Sequence, residues 1–213
     1  MTSGISKDDF ARMIAGAAAA IRAQHAMLSE LDCVAGDGDH GATMLRTVDR
    51  LEKAFAPGGP EDLRTCLKDA GWSVLGVDGG ASSSLLGVFF GGMADVAAND
   101  MTEMFEAGLA ALRKQTKAQP GDKTLMDALV PAIQALRAAA DSGKSVHEAL
   151  SDAAAAAQAG AEATRSLTAR YGRAKFLGKK TLGHVDPGAV SISLLFEGFY
   201  KGFSNLKGES GNA

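Results

Sequence analysis

Residues 10–31, FARMIAGAAAAIRAQHAMLSEL, have the residue pattern that decides the fold class. Apolar side chains recur in this stretch at the spacing of one face of an α-helix, at Phe10, Ile14, Ala17, Ile21, Leu28 and Leu31. Ser6 and Asp9 stand at the beginning of the run with the spacing of an N-terminal cap pair. The stretch therefore predicts a long first helix.

The rest of the chain has the same helical character. Seven further helices are predicted, near residues 42–55, 60–76, 81–97, 101–117, 123–141, 145–165 and 188–203. Strand propensity is low, because alanine greatly exceeds the β-branched residues and no long stretch alternates apolar with polar side chains. We therefore expect an all-α bundle or barrel of about eight helices, formed by a single domain over residues 1–213.

Composition narrows the classes of function. The chain has 213 residues and 46% hydrophobic content, enough for one sizeable core. Its formal net charge of −3 provides no broad basic face, so we expect no nucleic acid or anionic membrane as a partner. The most apolar segment, residues 85–98, is shorter than the roughly 20 residues that span a bilayer. Two cysteines without a CxxC pattern, and an acidic N-terminus unlike a signal peptide, indicate the cytoplasm.

A glycine-aspartate loop follows the first predicted helix. Residues 36–41, GDGDHG, match the dinucleotide pattern GxGxxG, but a helix precedes them where that pattern requires a strand. An EF-hand starting at Asp37 is excluded, since Val48 stands where its Glu ligand belongs. Asp32 ends the helix, and Asp37 and Asp39 lie in a loop that can fold back on it. Three such carboxylates suit Mg²⁺ with bound phosphates, and solvated turn or cap residues explain them equally well.

Three further motifs stand at predicted helix starts. Residues 79–84, GGASSS, precede an apolar run, and their backbone N–H groups either hold an anion or only begin a helix. Residues 121–124, GDKT, and 186–188, DPG, have the composition of helix entries with a cap residue. The stretch 165–187 is rich in Gly, Arg and Lys and is predicted to be a lid or a disordered loop. No complete P-loop is present, and of the two histidines near these motifs His40 is ranked above His184 as a ligand contact.

Taken together, four motifs resemble those of the nucleotide-binding subunit or domain of dihydroxyacetone kinases. They are Leu31-Asp32 with residues 36–41, residues 79–82, residues 121–124 and residues 183–189, in this order. The resemblance covers nearly the whole chain. It implies a barrel of eight antiparallel helices with a nucleotide bound at one end, and the number of helices predicted from periodicity agrees with it.

The resemblance also implies roles for individual residues. The catalytic centre is expected to be a set of aspartates that bind two Mg²⁺ ions bridging the phosphates of ADP or ATP: Asp32, Asp37 and Asp39. The phosphates are expected to be lined by His40, Gly41, Ala42, Thr43, Ala81, Ser82 and Ser83. The adenine side is expected at Gly121 and Leu125, and the lid with the ribose or base at Arg173, Asp186, Pro187 and Gly188.

The sequence departs from the family pattern at two places. Ser83-Ser84 stand where the family usually has Gly-Pro, and Leu125-Met126 reverse a common Met-Leu order. The geometry of the phosphate loop and the contact with adenine are the features that these changes affect. Another sugar substrate, for example a ketotetrose, is one hypothesis for them.

The implied activity is that of a phosphotransferase with an alcohol group as acceptor, active with a partner subunit. The family places the ketose on this separate subunit, where a histidine holds it covalently. The donor is ATP in one branch; in the other, bound ADP is rephosphorylated by a phosphotransferase-system protein, and both branches stay open. A homodimer is compatible with the sequence. Two other functions also stay open: a fatty acid kinase-like nucleotide domain, and an ADP-sensing module that controls a transcription regulator.

Overall fold

The computed structural model describes residues 4–34, 36–97 and 99–204, and this part of the chain is all-α. Its eight α-helices are α1 (Lys7–Cys33), α2 (His40–Ala54), α3 (Leu63–Leu75), α4 (Ala81–Met93), α5 (Met101–Gln115), α6 (Met126–Asp141), α7 (Val146–Ala163) and α8 (Pro187–Ser204). The described residues form no β-strand, only an isolated bridge between Gly4 and Asp100. The all-α prediction and the eight predicted helices are confirmed, with ends that differ by a few residues. No helix in this part of the chain is both long and apolar enough to cross a bilayer.

The eight helices form a closed ring. Each helix packs against the next one along the chain, and α8 packs against α1. The first residues of α2, α4, α6 and α8 all line one cavity, so these four helices begin at the same end of the ring and alternate in direction with the odd-numbered helices. This arrangement is the antiparallel helical barrel that the family resemblance implies. We call the end with the cavity the mouth.

Aromatic side chains fill the interior of the barrel. Phe105 lies at the centre of this group, with its ring centroid 5.5 Å from that of Phe196 and 5.9 Å from those of Phe89 and Phe199. Phe10 of α1 joins the group at 6.5 Å from Phe105. Because these rings come from α1, α4, α5 and α8, one continuous core holds the ring closed.

Backbone contact joins the first and last helices. A Cβ atom added to Gly198 would lie 2.3 Å from the Cα of Ala17, and one added to Gly16 would lie 2.1 Å from the carbonyl oxygen of Gly198. A Cβ added to Gly202 would similarly meet the carbonyl oxygen of Arg12 at 2.1 Å. No side chain fits between α1 and α8 at these positions, so the closure of the ring depends on glycine.

The connection between α7 and α8, residues 164–186, is ordered by contacts at its base. It contains two 3₁₀ segments, Thr164–Ser166 and Arg173–Thr181. Lys123, which is buried and has φ 60°, donates from Nζ to the carbonyl oxygens of Thr164 and His184. Both ends of the connection are therefore attached to the loop before α6, and the alternative of a disordered loop at 165–187 is wrong.

Asp186 begins α8 at the end of this connection. Its carboxylate accepts a hydrogen bond of 2.8 Å from the backbone N–H of Ala189, and its own N–H donates to the hydroxyl of Thr164 at 2.8 Å. The pKa of Asp186 is raised to about 7, mainly by burial and in part by the nearby charge of Asp127, while the hydrogen bond from Ala189 and the charge of Lys123 oppose the rise. The folded state therefore favours the protonated form of this carboxyl group.

Gly198→Ala is expected to destabilise the barrel by about 1–3 kcal/mol, because the new methyl group overlaps the backbone of α1. Gly91→Ala is the matched control, since its Cβ would have its nearest neighbour at 3.8 Å. In a helix that change is neutral or stabilising by up to about 1 kcal/mol. Denaturant unfolding of both variants measures the difference, and equal free energies of unfolding would contradict the account of the α1–α8 contact.

Asp186→Asn is expected to reduce the pH dependence of stability. The pKa of Asp186 is raised from 3.8 to about 7 on folding. Unfolding therefore releases a proton between these values, and the free energy of unfolding falls as pH rises through this window. Chemical unfolding is measured at pH 5 and pH 8, without metal or nucleotide. The decrease in the free energy of unfolding between these two pH values should be smaller for the variant than for the native chain.

Asp62→Asn is the control for that measurement. Asp62 also caps a helix, accepting a hydrogen bond from the N–H of Thr65, but this contact lowers the pKa of its carboxyl group. Its contribution is lost only as pH falls through that lowered value, which lies below the tested range. The Asp62→Asn variant should show the same pH dependence of the free energy of unfolding as the native chain. If Asp186→Asn also showed that same pH dependence, the raised pKa would be contradicted.

Candidate functional site

The mouth of the barrel contains a cavity of about 290 Å³. Its wall comes from the end of α1, the first residues of α2, α4, α6 and α8, and the α7–α8 connection. Ten of the residues predicted as a site lie on this wall: Asp32, Asp39, His40, Ala81, Ser82, Leu125, Arg173, Asp186, Pro187 and Gly188. A larger groove of about 430 Å³ runs between α5 and α6, but none of the predicted site residues lines it.

Three carboxylates converge at the edge of the cavity. One oxygen from each of Asp32, Asp37 and Asp39 lies within 4.8 Å of the others. Asp32 belongs to the last turn of α1, Asp37 to the loop, and Asp39 to the position just before α2. Like charges at this separation repel each other, and a divalent cation reverses that interaction. The arrangement is thus chemically suited to a hard cation such as Mg²⁺.

Glycines allow the aspartate loop to fold this tightly. A Cβ atom on Gly36 would lie 2.0 Å from Oδ1 of Asp32, and one on Gly38 would lie 2.6 Å from Sγ of Cys33. Gly38 also has φ 76°, a conformation that other residues rarely adopt. The N–H of His40 then donates to Oδ2 of Asp32 at 3.3 Å, which links the end of α1 to the start of α2.

The electrostatics of the three carboxylates differ. A hydrogen bond from Arg173 lowers the pKa of Asp37, and the two side chains form an ion pair across the mouth. Burial raises the pKa of Asp39, and the charges of Asp37 and Asp32 raise it further. Burial also lowers the pKa of His40. Arg173 therefore supplies a positive charge at the cluster, and a metal ion would compete with it for Asp37.

The two ends of the barrel differ in how the helices begin. Away from the mouth, α1, α3, α5 and α7 each begin with a side chain that accepts from a first-turn N–H: Ser6, Asp62, Asp100 and Ser145. At the mouth, the residues that precede α2 and α4, Asp39 and Gly80, form no such bond. Leu125, before α6, forms none either. Two starts at the mouth do have side-chain acceptors, since His40 of α2 donates its N–H to Asp32 and Asp186 caps α8. The start of α4, where Ala81 and Ser82 line the cavity, has N–H groups without a side-chain cap, as in an anion-binding site.

Part of the cavity wall is apolar. It is formed by Leu85, Ala118, Leu125, Met126 and Tyr171, with Thr116 beside them. This combination of an apolar wall with an anion-binding edge is suited to a ligand that has a flat ring and a phosphate tail. Sequence reasoning connected only Leu125 and Met126 with the adenine and missed the other residues, since they belong to no motif. The alternation of helix ends is the signal that could have found Thr116 and Ala118.

The other predicted residues lie next to the cavity wall or outside it. Gly41 packs against α1, where a Cβ would meet the carbonyl oxygen of His25 at 1.9 Å. Ser83 is buried and donates to the carbonyl oxygen of Val77 at 3.3 Å. Gly121 donates from its backbone N–H to Asp127 at 2.6 Å. The remaining residues off the wall are Asp37, Ala42 and Thr43. Direct ligand contacts by this group stay predictions.

Lys123 and Asp127 were also missed as parts of the site. Asp127 accepts from the N–H groups of Gly121 and Thr124, at 2.6 and 2.7 Å, and so shapes the loop before α6. Lys123 lies on the cavity wall and holds the α7–α8 connection. The sequence motif at residues 121–124 indicated a helix entry and, by resemblance, an adenine contact at Gly121, but it gave no role for Lys123, whose partners are about 40 and 60 residues away.

Comparisons with known proteins identify the family. Residues 34–201 match the DAK2 domain. The chain is 38% identical over 176 residues to the ADP-binding subunit of PEP-dependent dihydroxyacetone kinase 1 from Listeria innocua, covering 80% of this chain and 83% of the relative. It is 37% identical over 181 residues to L-erythrulose 1-kinase from Mycolicibacterium smegmatis, covering 81% of this chain and 31% of that relative.

A solved structure agrees with the sequence relatives. The crystal structure of the dihydroxyacetone kinase from C. freundii in complex with AMP-PNP and Mg²⁺ superposes with a TM-score of 0.72 and 26% sequence identity, covering 94% of this chain. The matched region spans 35% of the length of that kinase. The resemblance seen in the four sequence motifs is confirmed: the chain belongs to the DAK2 domain family, which includes the ADP-binding subunits of dihydroxyacetone kinases.

Proposed function

We propose that this chain is the nucleotide-binding subunit of a dihydroxyacetone-type kinase, a phosphotransferase with an alcohol group as acceptor. The observation that carries the proposal is the pairing of two features at one mouth. Helix α4 begins there without a side-chain cap, Asp39 before α2 forms no cap bond either, and three carboxylates converge beside these helix starts. Free N–H groups attract phosphate oxygens, and a cation between carboxylates and phosphates neutralises both. Neither feature alone requires a nucleotide, whereas their combination fits one.

The carboxylates are the proposed metal ligands. Asp32, Asp37 and Asp39 offer hard oxygen atoms, and Mg²⁺ prefers a few of these together with water and phosphate oxygens. We propose two ions, since three carboxylates and a phosphate chain provide enough ligands for both. Bound Mg²⁺ would neutralise the charge that develops on the transferred phosphoryl group. The C. freundii relative was crystallised with AMP-PNP and Mg²⁺, which supports this assignment.

The chain's own residues position the nucleotide in this proposal. Backbone N–H groups at the starts of α2 and α4 hold the phosphates, and the apolar wall at Leu125 and Met126 packs against the adenine. Arg173 pairs with Asp37 and would be free to contact the phosphates once a metal held that carboxylate, while the α7–α8 connection would exclude water. Phosphoryl transfer needs positioning and charge neutralisation rather than a protein nucleophile, so these groups suffice.

The acceptor and the donor come from outside this chain in the proposed reaction. The name of the L. innocua relative, an ADP-binding subunit, supports a separate kinase subunit that holds the ketose. The donor is either ATP or a phosphotransferase-system protein that rephosphorylates bound ADP. A ketotetrose acceptor deserves testing next to dihydroxyacetone, since L-erythrulose 1-kinase is among the relatives. We place the reaction in the cytoplasm, in keeping with two free cysteines, Cys33 and Cys66.

The other functions that the sequence left open are less well supported. The relatives described above are kinases of small ketoses, whereas an ADP-sensing module or a fatty acid kinase-like domain has no specific observation in its favour. Mutation of the carboxylates separates a sensor from a kinase subunit. A kinase subunit should lose turnover, whereas a sensor can retain binding to its partner.

Asp37→Asn is expected to lower turnover by about 100-fold or more, because it removes a proposed metal ligand and its charge. The measurement is phosphorylation of dihydroxyacetone with the ketose-binding subunit present, supplied with ATP in one assay and with the phosphotransferase system in another. Asp69→Asn, an exposed aspartate on α3, is the control and should keep full activity. An Asp37→Asn protein that retains turnover would rule out Asp37 as a metal ligand, and a native chain that transfers no phosphate in either assay would rule out the kinase proposal.

Gly36→Ala is expected to weaken magnesium-dependent ADP binding by about 10- to 100-fold, because the methyl group displaces the carboxylate of Asp32 from the cluster. Isothermal titration calorimetry with and without Mg²⁺ measures this change. Gly59→Ala, where the nearest atom to a Cβ is at 3.3 Å, controls for the loss of glycine in a loop. Unchanged magnesium dependence in Gly36→Ala would argue against Asp32 as a ligand.

A further inference from the structure

Exposed large hydrophobic side chains are confined to the mouth end of the barrel. In the described residues this group consists of Val34, Trp72, Leu75, Tyr171, Phe176 and Leu182. Val34 follows α1, Trp72 and Leu75 lie in the last turn of α3, and the others belong to the α7–α8 connection. Scattered exposed apolar residues need no explanation, but their confinement to one end marks a surface that another molecule covers.

The α7–α8 connection crosses the mouth. Its base is attached to Lys123 beside α6, while Arg173 reaches Asp37 beside α1 and α2. Arg173 also passes close to the start of α4, because a Cβ added to Gly80 would lie 3.7 Å from its Nη2. The connection therefore has an inner face towards the cavity and an outer face towards solvent.

Phe176 is the most exposed large hydrophobic side chain of the described residues, at 81%. It lies three residues after Arg173, in the 3₁₀ segment Arg173–Thr181 that crosses the mouth. No element of the described chain buries its ring. Aromatic side chains in such positions are typical anchors of protein interfaces, where their burial contributes much of the binding energy.

The charges around Phe176 are basic. Lys175 lies over the ring, with Nζ 4.8 Å from its centroid. Lys179 and Lys180 are exposed, and neither forms an ion pair with a described residue. By contrast, Arg170, which lies on the same connection, forms an ion pair with Asp122 in the loop before α6. The outer face thus presents one aromatic ring and three lysines, whose complement is an acidic surface with an apolar pocket.

We propose that Phe176, Lys179 and Lys180 anchor the acceptor-carrying subunit, which docks on the outer face of the connection through an acidic surface with an apolar pocket. This inference rests on the proposed function, because phosphoryl transfer requires an acceptor to reach phosphates that lie beneath the connection. A protein that carries the acceptor must cover the mouth, and the outer face is what it meets first. Docking and nucleotide binding thereby use opposite faces of one short segment.

The separation of the two faces defines the test. The outer-face side chains line no part of the cavity, whereas Arg173, three residues before Phe176, does. Changes at Phe176 are therefore expected to weaken docking without altering magnesium-dependent binding of ADP. Changes at the carboxylates are expected to weaken magnesium-dependent binding of ADP without weakening docking. Failure of the docking proposal and failure of the proposed function therefore give different results.

Phe176→Asp is expected to weaken binding of the purified ketose-binding subunit of the same kinase by about 30-fold or more. Phe176→Leu keeps an apolar side chain and should retain most of the affinity. The double variant K179E/K180E should weaken binding by about tenfold at low salt and less at high salt, as expected for screened charges. Surface plasmon resonance measures these affinities, and calorimetry measures ADP binding to the same proteins.

Lys53→Glu is the matched control for the charge reversal, because Lys53 is exposed at the end of α2, away from the mouth. It should leave subunit binding unchanged. Equal subunit affinities for Phe176→Asp and the native chain would overturn the proposal, and so would a native chain that binds Mg-ADP but not the subunit. Loss of ADP binding in Phe176→Asp would overturn it too, because Phe176 would then act on the cavity. A native chain that binds no Mg-ADP would overturn the proposed function and this inference together.

Discussion

The closure of eight antiparallel helices into a ring is the constraint on which the rest of this structure depends. With an even number of alternating helices, every second one begins at the same end, so α2, α4, α6 and α8 bring their positive dipole ends to one mouth. The sequence treats the two ends differently. Side-chain caps satisfy the helix starts at the far end and Asp186 caps α8 at the mouth, whereas the residues before α2 and α4 form no such bond. An anion-binding surface therefore depends both on the ring, which brings these helix starts together, and on the uncapped start of α4.

The carboxylates place negative charge at this positively polarised mouth. Asp39 stands where a helix cap would stand, yet its side chain faces Asp32 and Asp37 instead of a backbone N–H. Without a cation the cluster is balanced in part by Arg173, which comes from the α7–α8 connection. The proposed metal would take over this balancing and release the arginine towards the phosphates. A single ion pair would thereby couple the occupancy of the cavity to the position of the segment that covers it.

Precise positioning of helix ends requires closely packed helices. Gly16 and Gly198 bring α1 and α8 into backbone contact, Gly71 does so between α3 and α4, and Gly160 does so between α6 and α7. Such contacts leave little freedom for one helix to slide along another, because the backbone atoms already touch. Among the connections at the mouth, the α7–α8 connection carries the most exposed ring of the described residues, Phe176.

The sequence by itself determined what depends on near neighbours along the chain. Helical periodicity and caps such as Ser6–Asp9 gave the helices, and the spacing of Asp32, Asp37 and Asp39 within eight residues gave the carboxylate cluster. Only the tertiary structure decided which distant residues meet: the pairing of Arg173 with Asp37, the attachment of Thr164 and His184 to Lys123, and the apolar wall of the cavity. The physical reason is that backbone hydrogen bonds and loop glycines act over a few residues, whereas ring closure joins segments more than a hundred residues apart, and no local pattern records that contact.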